Sequence, residues 1–351
     1  MYTDISTIVI KNSNNCNLNC TYCFEREKFK NVRFADYEAL LNFLKNINIG
    51  PDHLYIKFTG GEPLLFEKDI REAYKILKKI ERFNDITTHF SLTTNGTKMN
   101  ELLGLFDDGI LDPELCKVSW DGIKSCNIRK TVAYNDTDMK NNIKLLGESG
   151  YGAKTTIRMA LTEESITDLY FSFLYALQNK CRVLEYYYLV DYAAYNSKEF
   201  INKANIVFRE LARLTTLFNF TYINWEPLYR AKHYPDNAFK SICNHLGKML
   251  YIDGKGNVYP CSFFSKDSIY ENVEFQLGTI YDGLDSNRIS QFIARYRNML
   301  FCDNSTCKNN QCFECPAANM YKQKSRLKQT CALRMLEKSI FDEYYKENID
   351  A

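Results

Sequence analysis

Short apolar runs alternate with amphipathic stretches over the first two thirds of the chain, and this alternation is what most restricts its fold. Segments such as residues 36–47 and 67–80 have apolar residues at helical spacing. Six runs between such segments are rich in β-branched and aromatic residues, as buried strands are: residues 6–12, 54–59, 86–94, 115–120, 155–161 and 185–190. Alternating strands and helices predict a parallel α/β sheet, with functional residues at the carboxyl ends of the strands.

The alternation weakens after a long predicted helix within residues 196–220. The region that follows is short of regular elements and rich in cysteine. We therefore predict two domains, an α/β core over residues 1–230 and a small cysteine-rich domain over residues 231–351.

Composition restricts the partners and the chemistry. Lys and Arg total 45 against 43 Asp and Glu, so nothing indicates a nucleic-acid partner. The chain lacks a secretory signal pattern and an apolar run long enough for a membrane span. These features predict a cytoplasmic protein without a membrane partner. In that compartment, 13 cysteines indicate metal binding or catalysis more than disulfides.

Three of the cysteines, Cys16, Cys20 and Cys23, directly follow the first predicted strand. A structural zinc site uses four ligands. Three thiolates on a cubane iron–sulfur cluster leave one iron without a protein ligand, open to bind another molecule. A zinc site completed by a distant residue is the alternative.

Possible cofactor contacts follow the next strands in order. The second strand leads into Gly60, Gly61, Glu62 and Pro63, in which glycine permits a close backbone approach. Asn95 in LTTNG follows the third strand, and Ser119 lies in SWDG after the fourth. Each is an ordinary turn sequence by itself, but together they place polar groups at one edge of the sheet.

The spacing CxxxCxxC, with Tyr22 before its last cysteine and with GGEP, LTTNG and SWDG after it, resembles the signature of the radical S-adenosylmethionine (SAM) superfamily. The resemblance implies a partial (β/α)6 barrel with a [4Fe–4S] cluster on Cys16, Cys20 and Cys23. It implies that SAM binds the open iron and is cleaved to a 5′-deoxyadenosyl radical by one electron from a flavodoxin- or ferredoxin-type reductant. The implied SAM contacts are Tyr22, Gly60, Gly61, Glu62, Pro63, Asn95 and Ser119, with Arg158 as a candidate for the SAM carboxylate.

The C-terminal cysteines resemble the SPASM extension of these enzymes, which holds two auxiliary [4Fe–4S] clusters. The resemblance assigns Cys243, Cys261 and Cys315 to the inner cluster, and Cys302, Cys307, Cys312 and Cys331 to the outer one. The middle spacings, four, four and two intervening residues, depart from that pattern. Seven cysteines leave one iron of the inner cluster to water, to His245 or to the substrate; structural zinc sites are the alternative.

The resemblance implies oxidative modification of a peptide or protein, with a cysteine thioether crosslink as the leading product. Anaerobic sulfatase maturation and small-molecule dehydrogenation are alternatives; for the former, Ser262 stands where an aspartate is thought to act as the base. Outside enzymes, the alternatives are an iron–sulfur electron carrier and a zinc-stabilised scaffold. The first strand begins near residue 6, which leaves no room for an N-terminal peptide-recognition domain, so leader recognition would fall to a separate protein or to the barrel.

Overall fold

A computed structural model describes residues 4–23, 25, 32–124, 126–129, 135–189, 193–225, 247–266, 274–297 and 327–348. The strands are β1 (Thr7–Ser13), β2 (His53–Gly60), β3 (Thr87–Thr94), β4 (Lys117–Ser119), β5 (Thr156–Leu161), β6 (Val183–Tyr188), β7 (Thr221–Tyr222), β8 (Met249–Ile252), β9 (Asn257–Tyr259), β10 (Gly278–Thr279) and β11 (Gly283–Leu284). The helices are α1 (Tyr37–Lys45), α2 (Glu67–Leu77), α3 (Glu81–Asn84), α4 (Met99–Asp107), α5 (Cys126–Arg129), α6 (Asp136–Glu148), α7 (Glu163–Gln178), α8 (Lys198–Leu217), α9 (Ser286–Arg297) and α10 (Leu327–Asn348).

Strands β1 to β6 lie side by side in chain order, and every neighbouring pair is parallel. Because each new strand is added on the same side of the one before it, the sheet curls into a partial (β/α)6 barrel; a doubly wound sheet would reverse its strand order. All six predicted strands overlap observed ones. The predicted α/β fold is therefore confirmed.

The two faces of the sheet differ in what they carry. On β2 the buried residues Leu54, Ile56 and Phe58 alternate with more accessible ones. Phe58 stacks on Phe90 of β3, and Phe90 in turn meets Tyr74 of α2 with ring centroids 5.0 Å apart. This face therefore packs against the helices. We call the opposite face of β2 to β6 the inner face.

The C-terminal hairpin extends the same sheet. Strand β8 pairs in parallel with β1, and β9 returns antiparallel to β8. Asp253 accepts hydrogen bonds from the backbone N–H groups of Lys255 and Asn257, and Gly256 has φ +82°, as the predicted glycine turn requires. The predicted domain boundary at 230/231 falls outside the described residues, so the division into two domains stays a prediction.

None of the described helices is long and apolar enough to cross a membrane.

Candidate active site

The loop that carries the three cysteines is fastened to the glycine turn after β2. The backbone N–H of Gly61 donates to the Ser13 carbonyl at 2.9 Å, and the N–H of Glu62 donates to the Asn15 carbonyl at 2.7 Å. A Cβ on Gly60 would lie 2.1 Å from the Ser13 oxygen, and one on Gly61 would lie 2.0 Å from the Asn15 oxygen. Only glycine therefore permits this close approach.

Replacing Gly61 by alanine is expected to destabilise the fold by about 1–3 kcal/mol, because the new Cβ would overlap a backbone oxygen. The variant should also lose bound iron, since the strained carbonyl lies next to Cys16. Denaturant unfolding and iron content measure the two effects. Gly104→Ala is the matched control, because its nearest atom is 3.8 Å away and α4 gains up to ~1 kcal/mol of helix propensity. Equal stability of the Gly61→Ala and Gly104→Ala variants would contradict the close approach of Gly61 to the Asn15 carbonyl.

The Glu62 carboxylate joins the ends of β2 and β3. It is fully buried and accepts hydrogen bonds from Leu64 N at 3.0 Å, Thr94 Oγ1 at 2.7 Å and Asn95 N at 2.6 Å. Burial raises the pKa of Glu62, and these hydrogen bonds oppose the rise. Since both carboxylate oxygens are engaged inside the protein, the Glu62 side chain positions the turn.

Asn95 brings the end of β3 against the first cysteine. Its Nδ2 donates to Cys16 Sγ at 3.7 Å and to Asn17 Oδ1 at 2.8 Å. Burial raises the pKa of the Cys16 thiol, and the negative charges of Glu62 and Cys23 add to the rise. Hydrogen bonds from Leu18 and Asn95 act in the opposite direction. A positive partner such as a metal centre would therefore strongly favour the thiolate here.

Tyr22 is held by a buried ion pair after β4. Its hydroxyl donates to the Asp121 carboxylate, which also accepts from Arg129 Nε at 2.8 Å and from the backbone N–H of Ala160 at 2.9 Å. Arg129 Nη1 then donates to the Asn95 carbonyl at 3.2 Å. This ion pair thus connects Tyr22 with Asn95.

Helix α5, which carries Arg129, also supports the cysteine loop through its backbone. The Arg129 carbonyl accepts from Asn19 N at 3.1 Å, and the Ile128 carbonyl accepts from Thr21 N at 3.0 Å. Sequence reasoning missed Arg129, because neither its distance from SWDG nor its neighbours mark it as part of a site.

Ser119 and Arg158 are cross-strand partners at the inner face of β4 and β5. The Arg158 guanidinium lies over the Tyr187 ring, 4.2 Å from its centroid, and 3.5 Å from Glu185. The structure thus brings Tyr22, the Gly60–Pro63 turn, Asn95 and Ser119 to one edge of the sheet. Their contact with SAM stays a prediction.

The residues present fit a cluster with an open iron and a polar ligand beside it. Three soft thiols lie in one loop, and two nearby side chains hold buried polar atoms without a hydrogen-bond partner among the described residues: both atoms of the Asn14 amide, and Arg129 Nη2. Among the same residues, no three or more His, Cys, Asp and Glu side chains gather around a single metal ion. A [4Fe–4S] cluster needs a wider arrangement, because each thiolate binds its own iron.

Of the auxiliary cysteines, only the Cys261 side chain is described; it is buried, directly after the β8–β9 hairpin. Cys331 lies on α10, but its side chain falls outside the described residues. His245 and five further cysteines also lie outside them: Cys243, Cys302, Cys307, Cys312 and Cys315. Both auxiliary ligand sets therefore stay predictions.

The three scattered cysteines are poor nucleophiles. Burial raises the pKa of Cys116 and of Cys181 to about 12. The pKa of Cys126 is raised to about 11, mainly by burial and to a smaller extent by the Asp136 carboxylate. Their thiols stay protonated at neutral pH, as expected of structural cysteines.

Fold and site together define an α/β barrel protein with a three-cysteine loop and a glycine turn at the carboxyl ends of its strands. The model of the Radical SAM superfamily matches residues 10–170, which run from β1 into α7. The chain therefore contains a radical SAM domain, as its motifs predicted.

Similarity to known proteins extends beyond this domain. Over 333 residues the chain is 23% identical to the cysteine-type anaerobic sulfatase-maturating enzyme of Clostridium perfringens (strain 13 / Type A), covering 89% of this chain and 86% of that protein. The structure of native anSMEcpe with bound AdoMet and Kp18Cys peptide superposes with a TM-score of 0.73 at 19% identity, covering 98% of this chain and 99% of the other. Streptococcus suis SuiB bound to precursor peptide SuiA superposes with a TM-score of 0.53 at 16% identity, covering 90% of this chain and 71% of the other. The two structures show a shared fold.

Proposed function

We propose that the chain is an enzyme that cleaves SAM reductively and oxidatively modifies a peptide or protein, with a thioether crosslink at a cysteine as the leading product. The observation that carries the proposal is the cysteine loop, fastened to the glycine turn and to Asn95 at the carboxyl ends of the strands. Two proteins of the same fold, anSMEcpe and SuiB, have been solved with peptides bound, which supports a peptide substrate.

In this proposal Cys16, Cys20 and Cys23 hold the cluster, and SAM lies along Tyr22, the Gly60–Pro63 turn, Asn95 and Ser119. When bound, the cluster and SAM supply a 5′-deoxyadenosyl radical, using one electron from a flavodoxin- or ferredoxin-type reductant. The chain's own residues hold the cysteine loop and the predicted SAM contacts in place. Glu62 fixes the turn and Asn95, Asn95 donates to Cys16, and Asp121 fixes Tyr22.

Thioether formation removes two hydrogen atoms from the peptide. One leaves a carbon as a hydrogen atom and converts the radical to 5′-deoxyadenosine. The other leaves the thiol as a proton to solvent; as the C–S bond forms, one electron leaves the peptide. The proposed electron acceptor is an auxiliary cluster on the C-terminal cysteines, with the inner one on Cys243, Cys261 and Cys315.

Sulfatase maturation is the second candidate, because a protein with that name is similar over 89% of this chain. Ser262 argues against it. This residue follows Cys261 and begins a 3-10 turn over Ser262–Phe264, and its carbonyl accepts from Ser265 Oγ at 2.7 Å. A serine hydroxyl does not act as a base unassisted, so the proton acceptor would have to be another group.

The deciding experiment is anaerobic turnover of reconstituted protein with SAM and dithionite. Two peptides are compared, a cysteine-containing precursor identified by searching the genes beside this one and a sulfatase-derived peptide with a cysteine. We expect 5′-deoxyadenosine, together with a precursor that has lost two hydrogen atoms and its free thiol. Oxidation of the sulfatase peptide alone would select the second candidate. Cluster reduction without any 5′-deoxyadenosine would instead indicate an electron carrier.

A further inference from the structure

We infer that the inner face of the barrel holds an anion site, formed by Lys57, Lys117 and Arg158, that binds a carboxylate of the peptide substrate. The carboxylate belongs to an acidic side chain or to the peptide's C-terminus. The inference rests on the proposed function, because it is this function that brings a peptide into the barrel.

Strand register places the three cations on one face. Lys57 of β2 is level with Ser91 of β3, and two residues further along β3, Thr93 is level with Lys117 of β4. Paired residues of parallel strands point to the same side, and so do residues two apart on one strand. Arg158 joins the set through its partner Ser119, which is two residues after Lys117. All three side chains therefore point away from the helices.

The site carries more positive than negative charge. Glu185 of β6, the register partner of Arg158, lies 2.7 Å from Lys117 Nζ and 3.5 Å from Arg158 Nε. Burial by itself would raise the pKa of Glu185, but Arg158 and Lys117 lower it, so the carboxylate is ionised. One carboxylate thus faces three cations, and a second carboxylate would offset part of the remaining positive charge in a partly desolvated space.

Two of the cations have unused hydrogen-bonding capacity. Arg158 Nε is buried and makes no hydrogen bond to any described residue. Lys57 forms no hydrogen bond or ion pair within the described part of the chain. Burial, together with the positive charges of Lys117 and Arg158, lowers the pKa of Lys57 to about 8, against smaller opposite effects of Cys116 and Glu185. A bound carboxylate would accept from both groups and would raise the pKa of Lys57 toward its ordinary value.

The two lysines of the site lie deeper in the barrel than the predicted SAM contacts, whereas Arg158 is level with Ser119, which is one of those contacts. The Tyr187 ring stacks under Arg158 and meets the Tyr22 ring edge-on, with centroids 6.5 Å apart. Lys57 precedes Gly60 by three residues, which is about 10 Å along a strand. A peptide anchored at the lysines would therefore extend from the inner face toward the strand ends where the radical forms.

Binding of glutarate, a small dicarboxylate, tests the site without requiring turnover. In reconstituted protein labelled with [13Cε]lysine, Lys57 is identified by the resonance missing from Lys57→Gln. We expect glutarate to raise the pKa of Lys57 by about one unit, which corresponds to about tenfold tighter binding to the charged amine. Glutarate affinity should therefore fall as the pH rises through about 8. Glutaramide, which has no charge, should change nothing.

Variants separate an anion site from a structural role. Lys57→Gln and Lys117→Gln should each weaken glutarate binding about tenfold or more. Glu185→Gln removes the competing carboxylate and should tighten binding. Lys124→Gln changes an exposed lysine and is the matched control. 5′-Deoxyadenosine formation without peptide should persist in Lys57→Gln, so loss of the anion site and loss of the proposed function are distinguishable.

Four results would overturn the site. In the first, glutarate leaves the Lys57 resonance unchanged. In the second, sodium chloride at equal ionic strength shifts this resonance as much as glutarate does. Alternatively, SAM alone shifts it and Lys57→Gln weakens SAM binding, which would assign the cations to the cofactor. With a substrate peptide in hand, neutralising each acidic side chain or amidating the C-terminus identifies the carboxylate by a higher KM. If neither change raises KM, the inference is wrong.

Discussion

Simultaneous replacement of Cys16, Cys20 and Cys23 by alanine is expected to abolish 5′-deoxyadenosine formation while iron near residues 243–331 stays bound. The physical reason is that these cysteines are the proposed ligands of the cluster that binds SAM. Without their thiolates no iron is held beside the Gly60–Pro63 turn. The measurements are anaerobic SAM turnover, iron content and the electron paramagnetic resonance spectrum of the reduced protein.

Cys126→Ser provides the matched control, because Cys126 lies on α5 beside the cysteine loop and burial keeps its thiol protonated. This variant should retain its full iron content and its SAM cleavage. Continued formation of 5′-deoxyadenosine by the triple variant would show that the cluster is assigned to the wrong cysteines.

Replacing Arg129 by methionine is expected to reduce the free energy of unfolding by about 3–5 kcal/mol, because it leaves the Asp121 carboxylate buried without its cation. The side chains of this pair are 2% and 0% exposed, so water cannot replace the lost partner. The variant should also lose SAM cleavage, since Asp121 holds Tyr22 and Arg129 binds the Asn95 carbonyl. Denaturant unfolding and 5′-deoxyadenosine assays measure the two effects.

Two further variants define the cause of this loss. Adding Asp121→Asn removes the unpaired charge, so the double variant should be less destabilised than the sum of the two single changes. Arg209→Met breaks the exposed pair with Glu343 and should cost less than ~1 kcal/mol. If Arg129→Met is as mild as Arg209→Met, the buried pair does not stabilise the cysteine loop.

Local patterns in the sequence were enough to predict the fold class and the radical SAM domain. Strand and helix periodicities depend on neighbouring residues, so all six barrel strands were predicted. The alternation predicted a helix between β5 and β6 without giving its bounds; in the structure α7 begins with a capping box between Thr162 and Ser165, ahead of Ile166, Leu169 and Phe173. The three cysteines lie within one loop, so their spacing could be read directly from the sequence. The radical SAM domain could therefore be recognised from it.

The tertiary structure alone decided what the polar side chains of the site do. Glu62 ties two strand ends together, and Tyr22 is held by Asp121, which lies 99 residues away. Arg129 supports the cysteine loop, although nothing in its own segment indicates this role. The excess of positive charge on the inner face arises because register brings Lys57, Lys117 and Arg158 onto one surface. Such contacts depend on strand order and register, which are set by packing of the whole sheet and not by any short stretch of sequence.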